Sequence, residues 1–97
     1  MTQMDRIRRM EQYLDHSNAA IQNLNTALDS YVAAQNHIHA LAGYYDGGAW
    51  REDYEADEAG MLPADLKRGV LSQDSLYDLL SDNRELLIRM TEVVKAL

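Results

Sequence analysis

Residues 7–45 read IRRMEQYLDHSNAAIQNLNTALDSYVAAQNHIHALAGYY, and the spacing within them decides the fold. Alternating steps of three and four from Ile7 reach Met10, Leu14, Ser17, Ile21, Leu24, Leu28, Tyr31, Gln35, Ile38, Ala42 and Tyr45. Ten of these twelve positions are apolar or aromatic, with Ser17 and Gln35 the exceptions. That is the a/d spacing of a helix that packs lengthwise on another helix. A straight helix drifts by about 20° per heptad against such a repeat, roughly 110° over this length. The helix must therefore supercoil, bend, or meet different partners at its two ends.

Outward from the seam, the spacing predicts one helix over about 3–45. Thr2 is its N-cap, and Asp5 completes a variant of the capping box three residues on. Asp15-His16-Ser17-Asn18 is its least helical patch. Asp46-Gly47-Gly48 stops it, with a glycine free to take the left-handed cap conformation. A short helix over about 49–59 follows, with Gly60 just past its end and Pro63 beyond. Trp50 and Tyr54 share one face of it, while Glu52, Asp53, Glu55, Asp57 and Glu58 supply the other. Residues 63–68 read as a single helical turn between Pro63 and Gly69. Ser72 then caps a third helix over about 73–96, with Asp74 in its first turn. Its seam is Leu76, Leu79, Asn83, Leu86, Met90, Val93 and Leu97, widened by Leu80, Leu87 and Val94.

The fold expected is all-α. The long N-terminal helix forms an antiparallel hairpin or bundle with the C-terminal helix, and short helices fill the connector of a single domain, residues 1–97. Length then poses a problem. At 1.5 Å per residue the first helix spans about 60 Å and the third about 36 Å. An antiparallel third helix reaches only to around Ile21, so Met4, Ile7, Met10 and Leu14 need another partner. A second copy of the chain is the expected cover, and a kink near Ser17 that folds them inward is the alternative.

Composition narrows the function classes. The chain has 97 residues, 46% of them hydrophobic, enough to build a core and unlike a disordered chain. It has no cysteine, hence no disulfide framework, thiolate metal site or thiol nucleophile. Neither a signal peptide nor an apolar run of membrane-spanning length is present, so a soluble cytoplasmic protein with no membrane partner is expected. The net charge of −7 argues against nucleic-acid binding, because phosphate contacts need clustered cations. Arg6, Arg8 and Arg9 lie among Asp5, Glu11 and Asp15 and read as a solvated face.

The connector carries the most specific residues: Tyr44-Tyr45, the run from Trp50 to Gly60, Leu62-Pro63, and the run from Asp65 to Ser72. In these it resembles the small bacterial family DUF4298, a domain of unknown function. The resemblance covers nearly the whole chain, and its specific part is Tyr44 to about Leu80. Members of that family often carry Phe at the position of Tyr54 and Gly at that of Ser75, both mild departures. The resemblance implies a compact helical protein of bacteria or their phages and supplies no activity and no catalytic residue.

No catalytic or metal constellation stands out. There is no Glu-x-x-His pair, and His37 and His39 point to different sides of their helix while His16 stands alone. Glu55 with Glu58, or Asp53 with Asp57, share a helix face, but a solvated acidic surface accounts for them better than a cation site. No Gly-x-Ser-x-Gly turn or phosphate loop occurs. No enzyme activity, cofactor or metal is therefore expected.

The function expected is that of a small interaction or accessory protein, self-associating through Met4, Ile7, Met10 and Leu14. Trp50, Glu52, Asp53, Tyr54, Glu55, Glu58, Lys67 and Arg68 are its candidates for docking an unidentified protein partner. An acidic inhibitor that fills a basic groove as a nucleic-acid mimic is the alternative, and a metal-dependent enzyme stands third.

Overall fold

The computed structural model describes residues 2–97. Helices α1 (Gln3–Asp46), α2 (Ala49–Glu58) and α3 (Gln73–Ala96) follow one another, with a single 3-10 turn, Gly69–Leu71, ahead of α3. There is no strand among the described residues, and none of these helices is long and apolar enough to cross a membrane. The chain divides into two compact units, one up to Gln35 and one over Asn36–Leu97.

The first unit is helix alone. The Thr2 hydroxyl accepts the Asp5 amide at 3.1 Å, and an Asp5 carboxylate oxygen accepts the Thr2 amide at 3.5 Å. This reciprocal box satisfies donors that a helix start leaves open. Asp5 also faces Arg8 at 3.6 Å. The helix runs unbroken through Asp15-His16-Ser17-Asn18. Sharp kinks arise at Pro, Gly/Ser pairs or inserted groups, and no Pro or Gly precedes Gly43. The alternative of an inward fold at Ser17 is thus not realised. Met4, Ile7, Met10, Leu14, Ile21 and Leu24 are each between 50% and 62% exposed.

The second unit holds the core. Its buried apolar side chains, among the described residues, are Trp50, Leu71 and Leu76. Leu41, Tyr44 and Tyr45 from the end of α1, Tyr54 from α2 and Leu62 from the loop pack around them. The last turns of α1 and the first turns of α3 thereby form the closed end of the antiparallel helical hairpin. A groove of about 450 Å³ between them is lined by Ile38, Ala42, Tyr45, Tyr77, Leu80 and Leu87.

Glycines set the corners. Gly48 takes φ 90°, in the left-handed region, as the residue that opens α2. Gly60 takes φ 72° where α2 ends, and there the Gly60 amide reaches the Asp57 carbonyl while the Met61 amide reaches that of Ala56. Those two bonds make a Schellman close, which uses carbonyls the helix end would otherwise leave open.

Three local expectations need correction. Residues 63–68 are turn and loop, and the single helical turn falls instead at Gly69–Leu71. The reason is Arg68, whose side chain binds the Pro63 and Leu66 carbonyls and ties the loop to itself. Ser72 occupies the N-cap position of α3 but makes no side-chain cap bond. Ser75, one turn on, donates to the Gly69 carbonyl at 2.6 Å and lies 3.3 Å from that of Ser72. On α3 the apolar seam is mostly uncovered: Leu76 is buried and Leu80 and Met90 are half-buried, whereas Leu79, Leu86, Leu87, Val93, Val94 and Leu97 are exposed.

Candidate docking surface around Trp50

Trp50 holds the junction together. It lies one residue after the α2 start, so the Gly48 corner points the ring into the cluster rather than outward. Tyr54, one turn later, stacks on the indole with ring centroids 5.1 Å apart and planes 20° from parallel. Tyr45 meets the same indole edge-on at 5.1 Å and 68°. Both are favoured aromatic geometries, stacked and T-shaped. The indole Nε1 donates to the Val70 carbonyl at 2.7 Å, so its one polar atom is satisfied inside the cluster. Gln73, at the start of α3, donates to the Tyr54 hydroxyl at 3.3 Å.

The carboxylates of α2 divide into two sets. Asp53 accepts the Tyr44 hydroxyl at 2.6 Å. That bond to Asp53, then burial and the nearby negative charge, push the Tyr44 phenol up to about 12. Asp57 pairs with the Arg68 guanidinium, whose other amino group donates to the Pro63 carbonyl at 2.6 Å. Asp53 and Asp57 are therefore structural ties. Glu52, Glu55 and Glu58 are exposed and make no ion pair with a described residue. Lys67 is likewise exposed and without such a pair, beside a shallow apolar surface of Leu41, Val70, Leu76 and Leu79.

Of the residues singled out from the sequence, Trp50, Tyr54, Asp53 and Arg68 thus come together as the junction's internal contacts. Glu52, Glu55 and Glu58 remain as its outward face. Met4, Ile7, Met10 and Leu14 belong to the other unit and share one side of α1. Sequence reading missed Tyr44, the Val70 carbonyl and Gln73. The Tyr44–Asp53 bond joins residues on two helices, and no local spacing rule announces it. A main-chain carbonyl carries no residue signal at all. Among the described residues, no group of three or more His, Cys, Asp or Glu stands close enough to hold a metal ion.

A hairpin end closed by an aromatic stack, with exposed carboxylates on α2, defines a small all-helical protein. The chain belongs to the family described as Domain of unknown function (DUF4298), whose profile matches residues 7–93. No curated protein and no solved structure matches it.

Proposed function

We propose that this is a small soluble accessory protein of the bacterial cytoplasm that works by protein–protein contact and not by catalysis. It self-associates through the N-terminal half of α1 and offers the Glu52, Glu55 and Glu58 face of α2 to a protein partner. One observation carries the reading: six apolar side chains at heptad-type spacing, Met4 to Leu24, stand exposed on one helix. Apolar stripes of this kind mark interaction sites when they are contiguous. Helices draw most of their stability from packing such a face.

The test is sedimentation equilibrium beside affinity capture from host lysate. Wild type sediments as an oligomer, and Leu14→Asp lowers its apparent mass. Capture compares wild type with a variant carrying Glu52→Gln, Glu55→Gln and Glu58→Gln, which leaves Asp53 and Asp57 in their structural bonds. A stoichiometric partner lost in that variant supports the reading; a monomer with no partner refutes it.

A second reading has its own support in the unpaired carboxylates of α2, which would suit the basic groove of a nucleic-acid-binding protein. An acidic inhibitor of that kind binds its target with an affinity that falls steeply with salt. Binding of the captured partner that is indifferent to salt rules this second reading out.

A further inference from the structure

The exposed half of α1 carries a charge pattern beside its apolar seam. With Ile7, Leu14 and Ile21 at a and Met10, Ser17 and Leu24 at d, position e holds Glu11 and position g holds Arg6. The later e and g positions are uncharged: Asn18 and Asn25 at e, Tyr13, Ala20 and Ala27 at g. Asp5 and Arg8 pair within the chain at 3.6 Å, but Arg6 and Glu11 make no ion pair with any described residue.

We propose that residues 4–24 pair with the same residues of a second copy as a parallel, in-register, two-stranded coiled coil. The proposal rests on the self-association reading above and adds the partner's orientation and register. Charge decides the orientation. A parallel pair sets each g residue against the e residue of the next heptad on the other chain. Arg6 then faces the second copy's Glu11, and symmetry makes the contact twice. An antiparallel pair sets g against g and e against e, so Arg6 meets only Ala20 or Ala27 and Glu11 only Asn18 or Asn25. Neither charge then finds its opposite.

The seam decides the number of strands. β-branched residues at a with Leu at d favour two parallel strands, and here Ile7 and Ile21 stand at a with Leu24 at d. Ser17, a lone polar residue at d, meets its own copy only in this register, as single polar seam residues do when they fix alignment. Both chains leave such a coil at the same end, each toward its own Asn36. Two acidic α2 faces then belong to one assembly, and a partner with two basic sites binds through both with a gain from effective concentration.

The absence of cysteine makes the test simple. Gln3 occupies the d position before Ile7, so Gln3→Cys places two thiols face to face in the parallel pair. An antiparallel pair over 4–24 separates them by about 30 Å. On mild oxidation the variant is expected to form a disulfide-linked dimer that a reductant splits, in a fraction unchanged by dilution while the dimer persists. Adding Leu14→Asp abolishes both dimer and cross-link, while unchanged Trp50 fluorescence reports an intact junction. Arg6→Glu or Glu11→Arg alone weakens association by about five-fold, and the two together restore it. A dimer that neither cross-links through Gln3→Cys nor recovers in the double reversal overturns the parallel register and leaves self-association standing. A monomer at every soluble concentration overturns both.

Discussion

The Trp50 indole and the Val70 carbonyl, 20 residues apart in sequence, share a 2.7 Å hydrogen bond inside the aromatic cluster. That bond joins α2 to the backbone leading into α3, and Tyr45 brings the end of α1 against the same indole. Removing the side chain should open the junction. Trp50→Ala is expected to cost about 3–5 kcal/mol, in the range of buried aromatic truncations. Trp50→Phe keeps most of the apolar area and strands the Val70 carbonyl, at about 1–3 kcal/mol. Urea denaturation followed by far-UV circular dichroism checks both. A Trp50→Phe variant as stable as wild type would place the bond outside the energetics of the junction.

Arg68 gathers the loop after α2 by binding Asp57 and the Pro63 carbonyl together. Arg68→Met keeps the apolar stem and leaves the half-buried Asp57 carboxylate without its partner, so a loss of about 1.5–3 kcal/mol is expected. Arg68→Lys should recover only part of that, because an ammonium cannot span both acceptors as the planar guanidinium does. Thermal unfolding of the two variants and of Asp57→Asn, combined in a double-mutant cycle, measures the coupling. Additive losses would mean that the pair contributes nothing beyond its separate atoms.

Much of this architecture was legible in the residues. The three-and-four step from Ile7 announces a long helix, the Thr2–Asp5 pair announces its start, and Gly60 before Pro63 announces the end of α2. These signals are local, because periodicity and capping are decided within one or two turns. What stayed hidden is non-local. Pro63 and Gly69 bracket a segment that looks like a helical turn, but the Arg68 side chain claims its carbonyls. The two roles of the α2 carboxylates are equally invisible in the sequence, since Asp53 and Glu52 look alike until Tyr44 is placed beside one of them.

The glycines offer a contrast between strain and freedom. Gly48 and Gly60 hold φ 90° and 72° with no atom within 4 Å of an added Cβ, so replacement meets strain and no clash. Gly48→Ala and Gly60→Ala should each cost about 1–2 kcal/mol, the penalty of an L-residue in the left-handed region. Gly43 is helical and has the same open space. Gly43→Ala should therefore stabilise, by about 0.5–1 kcal/mol. Chemical denaturation of the three variants reads the signs directly. A destabilising Gly43→Ala would mean that this position is not an open helical site in the folded protein.

The Tyr44 phenol gives the junction an alkaline limit. Its hydrogen bond to Asp53 holds it protonated, up to about 12 in the folded chain against the ordinary 10.0. Below about pH 10 the phenol is neutral in both states and the full contribution of the bond is present. Between about 10 and 12 the unfolded chain loses its proton first, so it binds fewer protons than the folded chain and stability falls as pH rises. Tyr44→Phe lacks the titrating group. Its stability should start lower at neutral pH and decline less steeply than that of wild type across that alkaline window. Denaturation midpoints at a series of pH values, beside the tyrosinate absorbance difference between the two proteins, check the slope and the titration together. Parallel slopes for the two proteins would mean that the Asp53 bond does not persist in solution.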